Sequence, residues 1–130
     1  MEKIIEKIRH QYPNLKLIHG KRFAFRPPNT IIIGPPEPHD DLLLLHELGH
    51  ALLKKNNYIT DIERLKIESE AWDKARILAQ TFNVPFDQYF AEKELNSYRD
   101  WLHQKSLCKK CHLTRYQTED GEYHCPYCNS

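Results

Sequence analysis

Asp40-Asp41-Leu42-Leu43-Leu44-Leu45-His46-Glu47-Leu48-Gly49-His50-Ala51-Leu52-Leu53 is the stretch on which the fold turns. Its two leading aspartates favour a helix start, by capping and by the helix dipole. The leucines predict a helix reaching about Asn57, with Leu42 to Leu45 and Leu52-Leu53 facing a core. On such a helix His46 and His50 share one face, so both imidazoles can reach a single metal ion. Glu47 lies beside them, where a carboxylate can take a proton from metal-bound water. Gly49 costs a helix about 1 kcal/mol relative to alanine, which predicts that another element packs closely there. A shuffled chain with the same 8 histidines would produce His-Glu-x-x-His roughly 0.04 times. The helical context therefore carries the reading as much as the five residues do.

Further along the chain, Thr60 and Glu63 form a candidate capping box for a second helix, starting at Thr60 or Asp61 and running to about Phe82. A third helix, from about Phe86 to Gln104, places Tyr89, Phe90, Leu95, Tyr98, Trp101 and Leu102 near one face. Before the histidine motif, Ile4, Ile5, Ile8 and Tyr12 have helical spacing, and Pro13 closes that helix. Leu15 to His19, Arg22 to Arg26 and Thr30 to Ile33 read as short strands, the last stopped by Gly34-Pro35-Pro36. The surrounding prolines suit loops and a sheet edge. A short antiparallel sheet is expected, with Thr30 to Ile33 as its edge strand.

The 130 residues are 40% hydrophobic and 28% charged, enough apolar surface for a core and too much for wholesale disorder. A net charge of +1 predicts no strong global attraction to nucleic acid or anionic membranes. Met1 to His10 has no continuous apolar segment of the kind a secretory signal needs, and Leu42 to Leu45 is far too short to span a bilayer. A cytoplasmic protein with no membrane association is the expectation.

All four cysteines fall near the end, as Cys108-x-x-Cys111 and Cys125-x-x-Cys128. Four thiolates from two tight knuckles suit tetrahedral zinc, and a module this small needs such a staple. In a reducing compartment this pattern is more often a metal site than a pair of disulfides. A turn at Asp120-Gly121 would pair Leu113 to Thr118 with Glu122 to Cys125 as a hairpin. The chain thus divides into a domain over 1–105 and a zinc ribbon over 106–130. Tyr116, Tyr123 and Tyr127, with Lys109, Lys110 and Arg115, could stack on and neutralise a nucleic-acid strand. Tyrosines of so small a module more often fill its core.

A catalytic zinc usually takes three protein ligands and keeps one position open for water. The second helix offers Glu68 and Glu70, which point to nearly opposite faces because two residues turn a helix by about 200°. Only one of them can join the histidines.

His46-Glu47-x-x-His50 followed by Glu70-Ala71 on a second helix resembles the gluzincin pattern of zinc metallopeptidases. The compact layout is also similar to the small ImmA/IrrE-like peptidases of mobile elements. The resemblance covers roughly residues 30–85 and implies an α+β, zincin-like domain. It also implies Glu70 as third zinc ligand and Glu47 as general base. Position 74 is lysine, where larger gluzincins often carry a carboxylate that orients a ligand histidine, so Asp73 is the nearest substitute. The SprT-like peptidases join the same helix motif to a zinc ribbon, but use a third histidine, and none occurs between His50 and His103.

The activity implied is hydrolysis of a peptide bond by a metal-activated water, with peptide or protein as substrate. One catalytic and one structural zinc are expected. A second donor to the oxyanion is required by analogy, with Tyr58, Tyr89, Tyr98 and His103 as candidates. The strand Thr30 to Ile33 is expected to bind substrate by strand addition. The rival reading is a zinc-stabilised protein- or DNA-binding module with a vestigial metal helix.

Overall fold

The computed structural model describes residues 1–128, so positions 129 and 130 of the expected C-terminal module lie outside the described residues. Within them the chain is α+β. The elements run α1 (Glu2–Gln11), β1 (Lys16–His19), β2 (Ala24–Arg26), β3 (Thr30–Ile33), α2 (Asp40–Leu53), α3 (Asp61–Thr81) and α4 (Gln88–Ser106), then β4 (Tyr116–Gln117) and β5 (Tyr123–His124). No helix among the described residues is long and apolar enough to cross a membrane.

The first sheet departs from expectation in two ways. Its order is β1-β3-β2, with β3 parallel to β1 and antiparallel to β2. It is therefore mixed, and β3 is the central strand. Ile31, Ile32 and Ile33 are all buried, and a strand apolar on both faces belongs inside a sheet. The short β2 lies in the connection from β1 to β3 and takes one edge of the sheet, with β1 at the other. Adjacency along the chain does not carry this order, because β1 skips its sequence neighbour to pair with β3.

Helix α2 is buried nearly all round, from Leu42 through Ala51, as a helix with apolar residues on every side must be. It packs with Ile5 and Ile8 of α1, Ile31 and Ile33 of β3, and Trp72, Ala75 and Leu78 of α3. It ends at Leu53, earlier than expected, where Lys54 takes the left-handed conformation at φ 57° and its N–H closes on His50 O. The capping box of α3 forms as read, with Thr60 N–H donating to Glu63 Oε1 at 3.1 Å. Gly49 is where α2 meets α3: a Cβ there would lie 2.7 Å from the Ala71 carbonyl oxygen.

After α4, Leu107 bridges Thr114, and the β4–β5 hairpin pairs Tyr116 with His124 and Gln117 with Tyr123. Gly121 supplies the positive φ, +90°, that the turn needs. This hairpin rests on the first turn of α3. The Gln117 side-chain oxygen accepts from the Asp61 N–H at 2.6 Å, satisfying one of the helix's unpaired amides.

Candidate metal centres

Two clusters of metal-ligating side chains emerge from this packing. In the first, the Nε2 atoms of His46 and His50 both point at one oxygen, Glu68 Oε2, at 2.9 and 3.0 Å. The three ligand atoms lie within 4.8 Å of one another. Glu47 stands beside them, its Oε2 3.4 Å from His46 Nδ1. All four side chains are buried.

The carboxylate brought to the histidines is Glu68, not Glu70. The buried face of α3 runs through Glu68, Ala71, Trp72, Ala75, Leu78 and Ala79, the spacing of a single helical stripe. Glu70 falls outside that stripe, in a groove with Lys54, Lys55 and Lys66. Asp73 is exposed on the far side and touches neither histidine, so it has no orienting role there. That role falls to Trp72, whose ring stacks on His46 with centroids 4.4 Å apart and planes 13° from parallel. Phe86 and Phe90 in turn hold the indole edge-on.

Burial alone would lower the pKa of His46, but its hydrogen bonds and attraction to Glu47 and Glu68 outweigh burial and raise it to about 9. Burial would likewise raise Glu68, yet the hydrogen bonds and charges of His46 and His50 hold it well below the usual carboxylate range. Two imidazole nitrogens and one carboxylate oxygen, converging where little of each side chain is exposed, make a donor set suited to zinc. The residues present therefore fit a metal site with three protein ligands.

A cavity of about 350 Å³ opens on this cluster, lined by β2 and by Glu47, Tyr58, Arg64 and Tyr98 among others. A second, of about 230 Å³, shares Phe23, His46, Glu47 and Tyr98 with it and adds Trp72, Glu94 and Ser97. The site thus lies where two cavities meet, with the edge strand β2 along one of them. Of the four candidate oxyanion donors, Tyr98 lines both cavities and Tyr58 one. Tyr89 is 89% exposed, and neither it nor His103 lines either cavity. Burial and the nearby negative charge of Glu68 push the Tyr98 phenol up, keeping it a hydrogen-bond donor.

The second cluster is Cys108, Cys111, Cys125 and Cys128, with all four Sγ atoms within 4.8 Å. The sulfurs of Cys111 and Cys125 are 3.6 Å apart and those of Cys108 and Cys128 3.9 Å, far longer than a disulfide bond, and all four cysteines are free. Backbone amides of Cys111 and Lys110 favour the thiolate at Cys108, and those of Cys128 and Tyr127 favour it at Cys125. Each knuckle thus prepares its first cysteine as a metal ligand, which fits a closed four-thiolate site. Tyr123 is used internally, packed under Arg115 and Lys105, whereas Tyr116 and Tyr127 are exposed.

Comparison with protein-family models, curated proteins and solved structures gave no match for this chain.

Proposed function

We propose that the chain is a zinc-dependent peptidase of gluzincin type, with His46, His50 and Glu68 as the catalytic metal's ligands and the four cysteines as a structural zinc site. The observation that carries this reading is the convergence of the histidine pair, Glu68 and Glu47 at a cavity bordered by a free strand edge. Four free thiols suit a reducing compartment, so the cytoplasm is the setting proposed.

Zinc bound there supplies a Lewis acid and a water acidified to near neutrality. The remaining work falls to the chain's own groups. Glu47, lining both cavities, takes the proton of the attacking water and then delivers it to the leaving amine nitrogen. Tyr98 donates to the carbonyl oxygen as negative charge develops on it. The exposed backbone of β2 receives an extended peptide by strand addition, the part that β3 cannot play from the middle of the sheet. Stacked Trp72 holds the His46 ring in place.

Metal analysis by mass spectrometry, run beside hydrolysis of a panel of proteins and peptides, tests the proposal. Two zinc ions per chain are expected, one lost in His46→Ala and the other in the Cys108→Ser/Cys111→Ser double variant. Glu47→Gln is expected to keep both ions and lose hydrolysis. Full hydrolysis by Glu47→Gln sinks the mechanism. A single zinc, lost only in the cysteine variant, replaces the peptidase with a binding module.

A further inference from the structure

Arg64 lies one helical turn before Glu68 on α3 and lines the same cavity as His46, Glu47 and Glu68. Its guanidinium carbon stands 4.6 Å from the Trp101 ring centroid, 5.4 Å from that of Tyr98 and 5.8 Å from that of Tyr58. Two of these rings belong to α4 and the third to the segment between α2 and α3. The cage fixes the position of a side chain that would otherwise be free to wander.

An arginine at this place should find a carboxylate, since Asp61 and Glu68 lie three and four residues away on the same helix. Both are taken. The carboxylate of Asp61 receives the Tyr123 hydroxyl at 2.6 Å and Lys105 Nζ at 3.0 Å. Glu68 is bound to the two histidines. Among the described residues the Arg64 guanidinium makes no hydrogen bond and no ion pair within contact distance of an acid. Contacts with ring faces supply no hydrogen-bond acceptor for its five N–H groups, whose fork geometry suits a carboxylate. A divalent ion at the histidines would offset Glu47 and Glu68 and leave Arg64, whose charge is otherwise felt by Asp61, as the only lysine or arginine among the described residues lining the cavity. The adjoining cavity instead carries an acid, Glu94, so the two sides of the site differ in sign.

We propose that Arg64 and its aromatic cage form a subsite for a carboxylate of the substrate, so that the peptides cleaved carry an acidic side chain or a free C-terminus near the scissile bond. The proposal rests on the peptidase reading and narrows it to a substrate class. Arg64 is a binding and specificity residue in this scheme, and the cage is what aims it.

The test is calorimetric binding of peptide hydroxamates to the zinc-loaded full chain, so that affinity is read without turnover. One set of ligand pairs exchanges glutamate for glutamine at each position flanking the chelating group. A second set exchanges a free C-terminal carboxylate for its amide, which separates the two sources of negative charge. In at least one pair the acidic ligand is expected to bind about tenfold or more tighter. Arg64→Gln is expected to reduce that ratio to about twofold or less, with the neutral ligand unaffected, and Arg64→Lys to keep part of it. A purely structural arginine would lower both affinities together, which overturns the subsite. Wild-type protein that binds neutral and acidic ligands alike also overturns it, without need of any variant. If no hydroxamate binds at all, the peptidase reading falls and the subsite falls with it.

Discussion

The Tyr123 hydroxyl donates to Asp61 Oδ2 across 2.6 Å, joining the four-cysteine module to the first turn of the helix that carries Glu68. Gln117 caps the same turn, Lys105 pairs with the same carboxylate at 3.0 Å, and Gly121 packs against the Ile59 carbonyl. The C-terminal module therefore braces one end of α3, and Arg64 and Glu68 follow on from that end. Burial would raise the pKa of Asp61, but Tyr123 and Lys105 outweigh it and lower it.

Tyr123→Phe is expected to cost about 1–2 kcal/mol in urea unfolding at neutral pH, because it strips a charged acceptor of its donor. The contribution of Asp61 is present above the unfolded carboxyl pKa and lost as pH falls through the lower folded value. The difference between wild type and variant should accordingly shrink in acid. A difference that stays constant down to pH 3 would show that the bond contributes otherwise.

Glu68→Gln is expected to abolish metal binding at the histidine pair, while Glu70→Gln leaves the metal content unchanged. Zinc stoichiometry in the two variants decides between the carboxylates directly. The reverse result would mean that α3 turns on its axis when metal binds.

Gly49→Ala should destabilise the protein by about 1–3 kcal/mol, despite alanine's better helix propensity. The added methyl would meet the Ala71 carbonyl oxygen at 2.7 Å, a backbone atom that cannot swing aside. Pushing α3 away also carries Glu68 off the histidines, so weaker zinc binding should accompany the lost stability.

Without metal, stability should depend on pH through His46 and Glu68. His46 is raised from 6.5 to about 9, so its contribution is full below 6.5 and lost as pH rises through about 9. Glu68 is lowered from 4.5, so its contribution is full above 4.5 and lost as pH falls through the folded value. Thermal midpoints in chelator should be highest between these limits and decline toward pH 9. Zinc, which needs the deprotonated ring, should remove the alkaline decline.

Tyr98→Phe should lower kcat by about 100-fold with the zinc content unchanged, as expected for loss of one oxyanion donor. An unaltered kcat would pass that role to Tyr58.

Much of the site was legible before folding. The interval of four between His46 and His50, the glutamate between them and the two Cys-x-x-Cys pairs are local facts, and a helix or a knuckle converts them into geometry without outside help. The periodicity of Ala71, Trp72, Ala75, Leu78 and Ala79, carried one turn back, also points to Glu68. The family pattern pointed instead to Glu70, whose place in the chain matches but whose helix face does not. Strand order was legible only in part: the apolar run Ile31 to Ile33 suits a central strand, but which strand lies on each side of it, and in which direction, depends on the path of the connections.

The sequence by itself determined the helices, the histidine pair with the glutamate between, and the four-cysteine cluster, because each depends on spacing within a single turn or hairpin. Only the tertiary structure brought Glu68 onto the histidines, set β3 between the edge strands β1 and β2, and rested the cysteine module on Asp61. Those three outcomes depend on the approach of elements far apart in the chain, set by contacts such as Gly49 against Ala71 that no local spacing encodes.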